Sequence, residues 1–415
     1  MQNDISILRD LTKRYLEICA EDVQVRRRNL WRKHNSLKPG RPLIYVRAFA
    51  WQEMKDAVPQ CEDPFWHRYE DFLRQSIFRH RFDDDFIFEP WITVEAVYQT
   101  PVPAGDWEWG GLWGLPVKWT CSENNPRGAR HWDPPLKEPE DFLKMKVPFH
   151  EIDEQATERK VKMVKEALGD LIAVNLDRAP AWRMWHADIS TELAQLRGLE
   201  QIMWDILDRP DWLHKVLGFM RDGILKAHQE AEDSGDWSLC DHQNQSMPYA
   251  EELKDPAVDC YGISRKKLWY YCAAQELTLV GSQQFDEFML QYQIPIMEKF
   301  GLTAYGCCED LTGKIGLLGK IPNLRRIAVS PFANVERCAE QIGTDYVISY
   351  RPSPAEMVSY DLDTARIRGI LRKDFAAMKG TRFDITLKDV ETVQGDPQRI
   401  VKWVQIVREI IEEFM

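Results

Sequence analysis

Apolar positions Ile5, Leu8, Leu11, Tyr15 and Ile18 recur at helical spacing, with Arg and Lys on the other face. This predicts an amphipathic helix over the first thirty-odd residues. Arg26-Arg27-Arg28 and Arg32-Lys33 read as its solvated end. Lys38-Pro39-Gly40 breaks the pattern, and Leu43–Val46 follows as a short buried strand. From Phe86 to Pro148 Pro, Gly and Trp crowd in and helical periods fade, so long loops and short strands are expected. From Glu151 onward the texture becomes helix-then-strand. Strands are expected at Leu171–Leu176, Ser238–Cys240, Leu268–Ala273, Leu302–Gly306, Arg326–Ser330, Tyr346–Tyr350 and Phe383–Leu387. Late strands that start roughly 20 to 40 residues apart suit successive βα units. Asp396 and Pro397 open a last helix whose face is Ile400, Val404, Val407 and Ile411.

These strands plus an early one, either Leu43–Val46 or Phe86–Phe88, make eight. No Gly-x-Gly-x-x-Gly turn follows any of them, which favours a closed ring over an open nucleotide-binding sheet. The expected fold is α/β: a (β/α)8 TIM barrel over residues 151–415. Residues 1–150 form an N-terminal extension with a helix, an early strand and aromatic-rich loops packed on the barrel. No Gly/Ser linker separates the two.

A formal net charge of −12 argues against nucleic acid as a partner. No run approaches the apolar length of a membrane span, and the first residues lack the pattern of a signal peptide. Nine scattered cysteines fit reduced thiols and a cytoplasmic location. Of the sixteen tryptophans, many sit between Trp91 and Trp132. They are either packed aromatic core or, with Trp113 and the Trp107–Trp132 segment as a wall, part of a pocket for a flat organic substrate.

In a parallel barrel, functional groups come from the C-terminal strand ends. That criterion selects Asp177 and Arg178, Asp241 and His242, Glu276, the run Cys307-Cys308-Glu309-Asp310, Arg351, and Lys388-Asp389. Tyr305-Gly306-Cys307-Cys308-Glu309-Asp310 stands out: thiolate and carboxylate are both zinc ligands, and polar groups at a strand end are costly without a task. Cys308 is a candidate metal ligand, with Glu276 from the neighbouring strand and His242 from the one before as partners. Alternation along a strand sends Cys307 and Cys308 to opposite sides. For each residue the plainer reading is structural: a space-filling thiol, or a carboxylate bound by backbone amides. Asp83-Asp84-Asp85 reads as a solvated loop, with a cation site as the alternative, and Arg325-Arg326 as structural.

At these residues the chain resembles the uroporphyrinogen decarboxylase superfamily, from about Asp170 to the C-terminus, with a looser echo in Asp85–Trp91. The resemblance lies in Glu192–Glu200 with Met203-Trp204-Asp205 and Pro210, in Phe285–Phe288 through Pro295 and Phe300-Gly301, and in Tyr305–Glu309. It is strongest for a branch marked by Ala274-Gln275-Glu276 and Ser349-Tyr350-Arg351-Pro352-Ser353-Pro354, similar to the corrinoid-dependent zinc methyltransferases. Gly306 stands where those enzymes carry histidine, and Lys388-Asp389 where they carry a late cysteine. The resemblance implies a methyltransferase that passes a methyl group from a small substrate, such as a methoxylated aromatic, to a corrinoid protein. Zinc on Cys308, Glu276 and His242 would activate the leaving group. Glu276, Glu309 and Arg351 would be catalytic, Trp113, Asp177, Arg178 and His242 would bind substrate, and a homodimer is compatible. The alternatives are a metal-free decarboxylase or lyase, in which Arg178 or Arg351 grips a carboxylate and Glu276 or Asp177 moves protons, and a non-catalytic ligand-binding barrel.

Overall fold

The computed structural model describes residues 2–48, 50–103, 105–106, 108–123 and 128–414 of the chain. Its strands are β1 Leu43–Ala48, β2 Trp91–Glu95, β3 Lys118–Thr120, β4 His131–Asp133, β5 Ala173–Asp177, β6 Trp269–Cys272, β7 Leu302–Tyr305, β8 Leu324–Val329, β9 Val347–Tyr350 and β10 Arg382–Val390. Six of them pair in parallel in the order β1-β10-β9-β8-β7-β6, a curled sheet that forms a half-barrel. β2 and β5 form a separate parallel pair, and β3 and β4 an antiparallel hairpin. The strand expected at Ser238–Cys240 is instead an isolated bridge from Ser238 to Tyr261, and Phe86–Phe88 gives way to β2 just after it.

Among the described residues no strand pairing joins β1 to β2 or β5 to β6. Side-chain groups, joined on β6 by the Gln243 backbone amide, bond to both open edges of the half-barrel instead. On β1, Ile44 N donates to Asp85 Oδ2 (2.9 Å) and Val46 N to Asp84 Oδ2 (2.8 Å). On β6, Trp269 N donates to His242 Nδ1 (3.2 Å), and Trp269 O accepts from Gln243 N (3.1 Å). An exposed strand edge is a row of unpaired amides, and these groups remove it. Asp84 and Asp85 are therefore buried rather than solvated, paired with Arg79 and Arg41. Burial alone would raise the Asp85 carboxyl; the hydrogen bond and charge of Arg41 overcome it and hold it below the ordinary range.

The N-terminal stretch is two helices, Gln2–Cys19 and Asp22–Asn35, not one. Leu8, Leu11, Tyr15 and Ile18 are buried against a core shared with helix Glu154–Leu168 and with β2 and β5. The basic stretch is not simply a solvated end: Arg27 is buried and Arg28 pairs with Glu89. In the last helix, Gln398–Phe414, Gln398 N donates to Asp396 Oδ1, and Ile400, Val404, Val407 and Ile411 are all buried. No helix of the described residues is long and apolar enough to cross a membrane.

Alternation along β10 positions the site. Phe383, Ile385 and Leu387 join the main apolar core, while Asp384, Thr386 and Lys388 form the opposite face as buried polar residues. Lys388 is the last of that row before the strand's C-terminal end.

Candidate functional site

The site forms where β7 ends. Gly306 N still donates to Cys272 O, but the glycine's φ of +100° turns the chain out of the pleat. A Cβ at Gly306 would lie 2.7 Å from Leu311 Cδ1 and 3.0 Å from Ala328 Cβ, so the turn is reserved for glycine in both torsion and space. Gly306→Ala is expected to lower stability by roughly 2 kcal/mol or more, read as a drop in the urea midpoint; an unchanged midpoint would show that the turn relaxes.

Because the pleat breaks there, Cys307 and Cys308 do not point to opposite sides. Their sulfurs lie 3.6 Å apart. Lys388 Nζ sits 3.0 Å from Cys307 Sγ, 3.1 Å from Cys308 Sγ and 3.2 Å from Asp389 Oδ2, and that same carboxylate oxygen is 3.6 Å from Cys308 Sγ. One ammonium thus stands between two sulfurs and one oxygen. Beneath them Glu309 is buried and accepts from Cys307 N (2.6 Å) and Ala274 N (3.0 Å), which ties the ends of β7 and β6 together. Arg351 is buried too. It donates from Nη1 to Cys307 O (2.5 Å) and from Nη2 to Gln245 Oε1 (2.9 Å), while its Nε has no partner among the described residues.

The electrostatics follow from this geometry. The hydrogen bond from Cys308, opposed by burial and joined by the charges of Arg351 and Lys388, pushes Cys307 down to about 4. The Cys307 thiolate and burial push Cys308 far up. The pair therefore shares one proton and carries one negative charge beside Lys388 and Arg351. Burial and the Cys307 charge raise the Glu309 carboxyl.

Of the residues singled out in the sequence, Cys308, Glu309 and Arg351 meet at this site. Glu276 follows the adjacent strand but accepts from Ser190 Oγ (2.7 Å) and Gln275 Nε2 (3.0 Å), and no described bond joins it to Cys308. His242 has no free nitrogen for a metal: Nδ1 accepts from Trp269 N and Nε2 donates to Lys254 O (3.1 Å). Burial pushes it down to about 4, so the ring is neutral. Arg178 is committed to Glu154 and Asp236, away from the thiols. Asp177 is held by Arg183 and lines a separate cavity with His242. Trp113 is fully buried against Phe219 as core, not as a pocket wall. Trp107 lies outside the described residues, and Trp119 and Trp132 pack together across the β3–β4 hairpin.

No protein-family model and no curated protein matches the chain. Its chemistry is read from its own residues. The zinc set expected from Cys308, Glu276 and His242 is not assembled, and among the described residues no three His, Cys, Asp or Glu side chains stand arranged as a metal centre. The cation that the sulfurs do share is Lys388. Strand alternation could have flagged this lysine, since it follows Asp384 and Thr386 on the inward row. Nothing in the sequence pairs it with the thiols.

Proposed function

We propose that this chain is an enzyme of the uroporphyrinogen decarboxylase superfamily that moves a methyl group from a small substrate, such as a methoxylated aromatic, to a corrinoid protein. The six-stranded and two-stranded sheets together supply eight parallel strands, which supports a (β/α)8 ring. Nine free thiols and the lack of a described membrane-length helix support a cytoplasmic setting.

The observation that carries the reading is the cation position between Cys307 Sγ, Cys308 Sγ and Asp389 Oδ2. Thiolates are soft donors suited to zinc, and sulfurs bound to one tetrahedral zinc at about 2.3 Å stand about 3.7 Å apart. The 3.6 Å separation here fits that bite. Cys307, Cys308 and Asp389 do not stand as a metal centre in this arrangement; they would become one only with the Lys388 ammonium swung aside and the Asp389 carboxylate moved in to join the sulfurs, in place of the set with Glu276 and His242. Bound zinc would supply Lewis acidity at the ether oxygen of the donor. The chain itself favours one negative charge on the thiol pair through their shared hydrogen bond and the charges of Arg351 and Lys388, ties the thiol loop to the end of β6 through Glu309, and sets beside it an Arg351 Nε with no partner among the described residues.

The test is elemental analysis with methyl transfer from methoxylated compounds to a reduced corrinoid protein. About one zinc per chain with turnover is expected, and Cys308→Ala should lose both. Full zinc occupancy in Cys308→Ala would remove that residue from the ligand set; absence of zinc and of transfer in the wild type would overturn the proposal. The second reading is a metal-free decarboxylase or lyase. It is favoured by the buried Arg351 and Lys388, two cations at one strand rim where a substrate carboxylate would bind. Zinc-free protein that releases carbon dioxide from an acidic substrate would select it.

A further inference from the structure

A cavity of about 380 Å³ runs along the polar side of β2 and β5, between Trp91, Thr93, Asn175 and Asp177 on one wall and the 240–249 segment on the other. It shares no lining residue with the thiol centre. Its size lies within the range of small-ligand sites. Tyr15, Phe72, Phe86, Trp91 and Tyr249 give it aromatic walls, and Phe72, 40% exposed, puts it in reach of solvent.

Its charges do not balance. Glu89 is paired by Arg28 (2.8 Å), and Asp177 is gripped by both terminal nitrogens of Arg183 (2.7 and 2.6 Å). His242 is neutral, with both nitrogens committed to backbone. Asp241, 6% exposed, accepts only from Ser238 N (2.6 Å) and Oγ (2.8 Å) through one oxygen, and no described cation pairs with it. Burial and the neighbouring Asp177 charge push it up to about 7, against the pull of Arg183. In the same cavity lining Asn175, 1% exposed, has an Oδ1 that receives no hydrogen bond from any described residue. Buried acceptors without donors are costly. One arginine serves two adjacent carboxylates, so the wall is short of one positive charge and of N–H donors, and aromatic faces attract cations.

We propose that this cavity binds a small primary or secondary organic ammonium ion, its N–H groups directed at Asp241 and Asn175 and its apolar body lying against the aromatic wall. The site is independent of the methyl-transfer reading and stands or falls separately from it.

The test is calorimetric titration of the full chain at pH 8 with benzylammonium and with its neutral counterpart, benzyl alcohol. Benzylammonium should bind saturably and at least ten-fold more tightly than the alcohol. Asp241→Asn, which keeps the shape and one acceptor, should weaken the ammonium at least ten-fold and leave the alcohol unchanged. Phe72→Ala, at a partly exposed position where folding is not at stake, should weaken both. Thiol titration of the same variants should be unaltered, which separates this site from the Cys307–Cys308 centre. Equal binding of the two probes, no saturable binding, or an Asp241→Asn protein that folds and retains ammonium affinity would each overturn the proposal.

Discussion

Asp384→Ala is expected to cost about 3–5 kcal/mol of folding stability, the range for breaking a buried ion pair by removing one partner. Asp384 is fully buried, and its Oδ2 meets Arg326 Nη2 at 2.8 Å and His34 Nε2 at 3.0 Å. Its Oδ1 accepts from Thr386 Oγ1 (3.1 Å) and more weakly from Ser349 Oγ (3.4 Å). One carboxylate therefore joins β8, β9, β10 and the helix Asp22–Asn35. Burial would raise it, but Arg326 and His34 outweigh burial and hold it below the ordinary range, so it is charged. Burial keeps the His34 ring below its usual value, which leaves it neutral and donating from Nε2. Alanine would leave the Arg326 guanidinium, 3% exposed, without its counter-charge. Asparagine keeps the shape and should lose less. A carboxyl depressed in the folded state contributes stability above its unfolded pKa, and that contribution is lost as pH falls through the folded value. The gap between wild type and Asp384→Asn should accordingly be full at pH 7 and shrink below about pH 4. Urea unfolding at the two pH values measures it. A loss below about 1 kcal/mol for the alanine variant would show that water enters and solvates Arg326.

The repeating βα pace from Glu151 onward was legible because each unit carries its own apolar signature. β6, β7, β8, β9 and β10 fall within a residue or three of their expected places. How the open edges of the half-barrel are capped was not legible. Asp83-Asp84-Asp85 looks like any exposed acidic run, and only Arg41 and Arg79, folded against it from elsewhere, make it a mimic of a neighbouring strand. His242 looked like a ligand for the same reason: its partner is the backbone N–H of Trp269, which a sequence does not display. Cys308, Glu309 and Arg351 were found because strand ends are where a parallel barrel keeps its chemistry. Cys307 was set aside on the alternation of side chains along a strand, a rule that holds only while the pleat continues, and Gly306 ends it.

Lys388→Met should raise the ionisation of the thiol pair by about one to three pH units, the usual effect of removing an opposite charge within a few ångströms. The ammonium lies 3.0 and 3.1 Å from the two sulfurs, and methionine fills similar volume without charge. Thiolate ultraviolet absorbance reads this directly, and subtracting the curve of Cys307→Ser isolates the pair from the other cysteines. The wild-type difference should persist down to about pH 5, since Cys307 is pushed down to about 4. Lys388→Arg should keep most of the effect, which a purely space-filling role for the lysine would not predict. Cys308→Ser tests the other component: a hydroxyl can still donate to the Cys307 sulfur, so the low value should survive, whereas Cys308→Ala should raise it. If the wild-type difference rises only near the ordinary thiol value, or Lys388→Met leaves it in place, the sulfurs share their proton differently. The ammonium would then be a neighbour rather than the counter-ion that readies them for a metal or an electrophile.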